Sequence, residues 1–261
     1  MNYLLAIAII PVIVLGKYIY NKDINKEPMA LLRKIFVFGM LSCVPVVIME
    51  LVLGQFFDTE NGNLNFITIL INVFISVALI EEIFKWLVVR KYGYKSREFD
   101  EIYDIIVYSV FSSLGFACIE NIGYVLQNGF VTGIFRALLS IPGHTCFGII
   151  MGYYLSKAKV NSINNNFFLH KINIFLSIFM PTLLHAMYDS LLIIKGDIYL
   201  LIFFIFDIIM VICCFKTVSR ISKIQQNIIH KEIKDTNSCP ICGKKVGNFK
   251  YCTSCGYKIE R

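Results

Sequence analysis

Seven apolar stretches separated by short polar segments make up most of this 261-residue chain. They run Tyr3–Tyr20, Lys34–Leu53, Phe66–Val89, Ile102–Leu126, Thr132–Leu155, Ile172–Ile194 and Ile198–Phe215. Each is long enough, or nearly so, to cross a ~30 Å hydrocarbon layer as a helix rising ~1.5 Å per residue. The pattern predicts an all-α polytopic membrane protein with about seven transmembrane helices.

The polar segments set an orientation. The first carries Lys22, Lys26, Arg33 and Lys34, the third Arg90, Lys91, Lys95 and Arg97, and the fifth Lys157, Lys159 and Lys171. The second has Asp58 and Glu60 with no lysine or arginine, the fourth (Gln127 to Val131) has neither, and the sixth is a tight turn around Gly196. Basic residues favour the cytoplasmic side, so the N-terminus is expected outside and the tail inside. The first stretch lacks a basic leader and a cleavage signal, and reads as a retained helix.

Composition agrees: 57% of residues are hydrophobic and 16% charged, with a mean hydropathy of +0.67. These values exclude a soluble enzyme. The net charge of +7 lies in short loops, where it orients the chain rather than binding nucleic acid. Five cysteines (Cys43, Cys118, Cys146, Cys213 and Cys214) fall in apolar stretches and read as small hydrophobes.

Three domains are expected: a transmembrane domain to residue 215, a basic amphipathic linker over 216–238, and a small module over 239–261. In the linker, Val218, Ile221, Ile224, Ile228 and Ile233 recur at helical spacing, and Lys223 and Lys231 could meet anionic headgroups. The module contains Cys239-Pro-Ile-Cys242-Gly and Cys252-Thr-Ser-Cys255-Gly, nine residues apart. Two such knuckles offer four thiolates to a tetrahedral ion, so a structural zinc ribbon is expected. A reducing cytosol disfavours disulfides.

Ionisable residues inside the apolar stretches carry the chemistry. Glu81, Glu82 and Lys85 lie in the third, Glu120 in the fourth, His144 in the fifth, and His185 and Asp189 in the sixth. Each Asp, Glu or Lys at a helix centre costs ~2.5–3.5 kcal/mol. Left unpaired, Glu81, Glu82, Lys85, Glu120 and Asp189 would together cost on the order of 12–17 kcal/mol, comparable to a whole domain's stability. They must pair or line a wet cavity. Lys85 is within reach of both Glu81 and Glu82, and Asp189 shares a helix face with His185. Pro142-Gly143 before His144 predicts a bend or a restart. Glu50, Asp104 and Asp207 read as structural or interfacial.

One geometric tension follows. With the third stretch running inward and the fourth outward, straight helices leave Glu120 toward the opposite face from Glu81 and Glu82. A tilt, a bend near Gly115 or a shifted boundary must close the gap.

Four motifs occur in order on consecutive stretches: Glu81-Glu82-Ile83-Phe84-Lys85 (EExxK), Phe116 to Asn121 (FxxxEN), Pro142-Gly143-His144 with Gly148 (PGHxxxG), and His185 to Asp189 (HxxYD). With Lys26-Glu27-Pro28, they resemble the PrsW family of intramembrane proteases, distant relatives of the type II CAAX prenyl endopeptidases. The resemblance runs from about Asn21 to about Leu192. It implies proteolysis of a single-pass membrane protein, typically the first cut of an anti-sigma factor in bacterial stress signalling, in the plasma membrane. Glu81, Glu82, Glu120, His144 and His185 would be catalytic, with Lys85, Asn121 and Asp189 in support. Either a glutamate activates water or the same residues hold a catalytic zinc; the glutamate-rich set favours the first. Two rivals stand beside it: an ion or solute transporter, which also places carboxylates and histidines in the membrane, and an inactive sensor or scaffold acting through its cysteine module.

Overall fold

The structure is a computed structural model that describes residues 2–58, 63–96, 98–99, 101–236, 238–239, 243–245 and 254. For residue 2 and residues 227–236 it describes the backbone alone. The helices are α1 (Asn2–Lys22), α2 (Met29–Leu53), α3 (Phe66–Val73), α4 (Leu79–Val88), α5 (Asp104–Phe135), α6 (Ile141–Ile163), α7 (Phe167–Ile193) and α8 (Asp197–Thr236). A π-helical turn, Phe74–Ala78, joins α3 to α4, another (Val89–Gly93) extends α4, and a third (Arg136–Ser140) joins α5 to α6. No strand forms among the described residues, in keeping with the all-α expectation.

Among the described residues, six continuous helical stretches are long and apolar enough to cross a membrane. The longest, Asp104–Ile163, has 60 residues. Drawn out straight it would reach ~90 Å, three times the thickness of a hydrocarbon layer. It does not run straight. Gly129 adopts φ 81° and ψ −164°, a conformation closed to residues with a Cβ, and the chain reverses there. Gly148 then lies against Val110 and Gly152 against Ile106, so the two limbs pack antiparallel about residue 129. The turn falls in the predicted fourth loop.

α5 is the post around which the other helices stand. Ile105, Ile106, Val107, Tyr108 and Val110 are fully out of solvent, as are Ser109, Ser112 and Ser113. Small residues along this helix let neighbours approach closely. A Cβ on Gly115 would fall 2.1 Å from the Phe36 carbonyl oxygen, and one on Gly39 would fall 2.3 Å from that of Ser112. α2 therefore meets α5 backbone to backbone. Outward-facing side chains are large and apolar, among them Ile10, Ile13, Val44, Ile48, Ile205 and Ile209. That is the surface a bilayer would cover.

α8 continues without interruption past Phe215, and Ser222 Oγ donates to the Lys22 carbonyl at 2.7 Å, tying the extension to the end of α1. Of the cysteine module, Cys239 is buried and Gly243 has φ 68°, in the left-handed region. Cys242, Cys252 and Cys255 lie outside the described residues.

Gly115→Ala tests the close approach of α2 and α5. The added methyl forces the helices apart, and overpacking of this kind costs about 1–3 kcal/mol. A lowered melting temperature in detergent is expected, and an unchanged one would refute the contact.

Candidate active site

One turn of α4 supplies Glu81, Glu82 and Lys85, all buried. The Lys85 ammonium sits 2.8 Å from Glu81 Oε2, 2.8 Å from Glu82 Oε1 and 3.2 Å from His144 Nδ1. The Phe116 ring caps it with its centroid 4.3 Å away. Ser112 Oγ donates to the Lys85 carbonyl at 3.0 Å, and Trp86 Nε1 donates to Ser177 Oγ at 2.9 Å. These bonds lock α4 between α5 and α7.

Two limbs extend from this centre. On one, an ammonium has only donors, so His144 accepts at Nδ1 and presents its Nε2–H to Glu120 Oε2, 2.8 Å away. Arg136 Nη2 binds the other Glu120 oxygen at 2.8 Å, and Arg136 Nε donates to Asn121 Oδ1 at 3.0 Å. Asn121 in turn donates to the Ala8 carbonyl at 3.0 Å, anchoring the limb to α1. On the other limb, His185 Nδ1 faces Glu82 Oε1 at 3.1 Å and its Nε2 faces Asp189 Oδ2 at 3.3 Å. Phe147 stacks on the His185 ring at a centroid distance of 4.6 Å and 21° between planes. Both imidazoles are thus oriented from either side.

The structure brings together Glu81, Glu82, Lys85, Glu120, His144, His185 and Asp189 in one connected network. Asn121 joins it through Arg136. The expected separation of Glu120 from the paired glutamates closes without a break at Gly115. α4 and α5 run antiparallel, with Lys85 beside Ser112 and Gly93 beside Tyr108. Glu81 therefore lies at the level of Phe116, and Glu120 is only about one turn, ~6 Å, further on. The His144 ring spans that distance. The bend or restart expected at Pro142-Gly143 takes the form of the π turn Arg136–Ser140, after which α6 begins at Ile141 with Pro142 in its first turn. The wide turn lets Arg136 and His144 grip the same carboxylate.

Arg136 went unnoticed in the sequence because it stands near the start of the fifth apolar stretch, beside a loop free of basic residues. The criterion that singled out the glutamates, an ionisable group within an apolar run, applies to it equally. Phe147 carried no such signal. Glu50, read as structural, lies on α2 within electrostatic reach of Glu81, Glu120 and Lys85.

A metal centre can be weighed on this geometry. One oxygen from each of Glu81 and Glu82 and one ring nitrogen of His144 lie within 4.8 Å of one another. Carboxylate and imidazole are zinc-type donors, and the set fits a divalent ion in kind and spacing. The point on which they converge is taken by Lys85 Nζ. A metal ion would enter only if Lys85 withdrew.

The sequence model of the PrsW family, described as an intramembrane metalloprotease, matches residues 27–214. Protease PrsW of Oceanobacillus iheyensis is 40% identical over 189 residues, covering 72% of this chain and 82% of its own. Protease PrsW of Geobacillus kaustophilus is 39% identical over 193 residues, covering 74% and 80% respectively. For Protease PrsW of Bacillus subtilis the identity is 34% over 193 residues, covering 72% and 82%. No solved structure matches the chain. Every member of the buried network falls in the matched region, and the cysteine module falls beyond it.

Lys85→Met removes the shared counter-charge and leaves two buried carboxylates facing each other. Breaking such a group from one side costs about 3–5 kcal/mol. The unfolding free energy in mixed detergent should fall by that order, and adding Glu82→Gln should recover part of the loss. Independent, additive effects of the two changes would show that Lys85 and Glu82 are not coupled.

Proposed function

This chain belongs to the PrsW family of intramembrane proteases, and we propose that it is an endopeptidase that cuts a single-pass membrane protein. The observation that carries the reading is the convergence of Glu81, Glu82, Glu120, His144 and His185 around Lys85, from four separate apolar stretches. Peptide hydrolysis needs a base to activate water, a group to stabilise the oxyanion, and water held where lipid would otherwise exclude it.

In this reading Glu81 is the base. Its side chain retains 7% exposure, whereas Glu82 has none and is held by both Lys85 and His185. Lys85 supplies the counter-charge to both carboxylates, and Glu82 fixes the His185 ring. Asp189 holds the other ring nitrogen and is itself 27% exposed, so a substrate that displaced it would free the His185 Nε2–H to donate to the oxyanion. His144, held between Lys85 and Glu120, is the candidate to protonate the leaving amine. Asp189 and Glu120 are the most open carboxylates of the network, with 27% and 22% of their side chains exposed, and mark where substrate and water enter.

The grouping of Glu81, Glu82 and His144 favours one second reading, a metalloprotease. A bound divalent ion would polarise the scissile carbonyl and its attacking water. Glu81, Glu82 and His144 would hold it, with Lys85 displaced toward solvent or substrate. The glutamate mechanism is preferred because Lys85 already supplies the positive charge at that point.

The chain would cross the membrane seven times, counting both limbs of the Asp104–Ile163 hairpin, with its N-terminus outside and its tail in the cytoplasm of a bacterial cell. An anti-sigma factor is the proposed substrate, and the cysteine module, as a zinc ribbon, would recruit a cytosolic partner. The transporter and scaffold readings gain nothing from relatives named as proteases.

Cleavage of a co-expressed single-pass substrate tests the assignment. Glu81→Gln should reduce the rate by about 10²–10⁴-fold, the usual contribution of a general base. Glu82→Gln should also impair it, and full activity in both variants would exclude the site. Purified protein in nanodiscs should keep its activity after treatment with phenanthroline. Loss of cleavage that zinc restores, together with one equivalent of metal in a protein lacking residues 239–261, would instead establish the metal reading.

A further inference from the structure

We propose that Asp23, Glu101 and Asp104 form a binding site for a hard divalent cation of the calcium or magnesium kind, where the α1–α2 turn meets the start of α5. This site is separate from the network around Lys85. Asp104 precedes Glu120 by sixteen residues of α5, ~24 Å along the helix.

Three observations build it. First, one carboxylate oxygen from each of Asp23, Glu101 and Asp104 lies within 4.8 Å of the others. Oxygens bound to one calcium ion at 2.3–2.6 Å stand about this far apart, and those on magnesium stand somewhat closer. Second, Asp23 is only 3% exposed, and neither of its carboxylate oxygens has a hydrogen-bond partner among the described residues. A carboxylate out of water without a partner costs several kcal/mol, so a chain that aims one into an acidic cluster implies a cation there. The adjacent Lys26 ammonium attracts Asp23 at a distance, but its hydrogen bonds go to the backbone carbonyls of Tyr20 and Asp23. Third, Asn25 Nδ2 donates to Glu101 Oε1, while Asn25 Oδ1 is out of solvent and without a partner, placed as a neutral fourth oxygen.

The surroundings hold these groups in place. The Glu101 N–H donates to Asp104 Oδ2 at 2.7 Å, and the Tyr103 hydroxyl donates to the Ile19 carbonyl at 3.0 Å. A further carboxylate, Glu27, accepts from the Tyr108 hydroxyl. Carboxylate and amide oxygens with no sulfur or imidazole select calcium, magnesium or manganese over zinc. An ion bound here would clamp the α1–α2 turn to α5, the helix that carries Ser112 and Glu120. It would set the position of the active-site post from the opposite end.

The test uses full-length protein in nanodiscs, stripped with EDTA and titrated with calcium chloride and, separately, magnesium chloride. Calorimetry and melting temperature are both read. Wild type should show a saturable event that raises the melting temperature, and so should Glu82→Gln and Cys239→Ser, which alter the other two candidate metal positions. Asp23→Asn and Asp104→Asn should each weaken binding at least tenfold. Without metal, both variants should melt at or above the wild-type temperature, because each removes one of several crowded negative charges. That gain in the metal-free state separates a lost ligand from a misfolded variant. Failure of both ions to bind wild type below ~10 mM would overturn the proposal, as would undiminished binding in both variants.

Discussion

Burying Lys85 is the constraint on which the rest of the site depends. An isolated ammonium or carboxylate in a low-dielectric interior is unfavourable by an idealised ~20 kcal/mol, and only close partners offset it. Lys85 has three, Glu81, Glu82 and His144, and Phe116 closes the remaining side. Each partner is in turn committed elsewhere. His144 is held by Glu120 and Glu82 by His185, and these reach Arg136 and Asp189. The charges form a chain in which every link holds the next in place. Preorganisation of this sort suits catalysis, where fixed dipoles and charges replace solvent that would have to reorganise.

Such a chain demands close helix packing, and the packing is built from small residues. Gly39 and Gly115 bring α2 onto α5, and Gly148 and Gly152 lie opposite Val110 and Ile106 across the hairpin. Ser109, Ser112 and Ser113 keep α5 narrow where the others press on it. The hydroxyls of Ser109 and Ser112 bond to the Ile105 and Lys85 carbonyls, whereas the buried Ser113 hydroxyl has no hydrogen-bond partner among the described residues. Between helices in lipid there is little hydrophobic drive, and contacts of this kind must supply the cohesion. The π turns serve the same end, since each shifts the helix face that follows it. One precedes Glu81 and another precedes His144.

Much of this was legible in the residues. Each apolar stretch falls on helical structure, because twenty or so residues without charge leave few alternatives in a chain of this composition. The helices overrun them: α6 ends at Ile163 rather than Leu155, and α8 at Thr236 rather than Phe215. The candidate side chains were legible for the complementary reason, that charge inside such a stretch is too costly to be incidental. Arg136 escaped because it stands where a loop was expected to end. The separation between Glu120 and Glu81 was misjudged because stretch boundaries say little about relative height. A single hydrogen bond, Ser112 to the Lys85 carbonyl, sets that level.

By itself, then, the chain determined that it is helical and membrane-embedded, and which residue types its site would contain. Those properties follow from local composition: the thickness of a bilayer, the rise of a helix and the cost of burying a charge. Only the tertiary structure decided who pairs with whom. It gave Glu81 and Glu82 one shared ammonium, held His144 between Lys85 and Glu120, and set Asp23 beside Glu101 and Asp104. Such pairings join residues far apart in the chain, as His185 and Glu82 are at 103 positions. Helix height, rotation and the turn at Gly129 settle them, and no local pattern encodes those quantities.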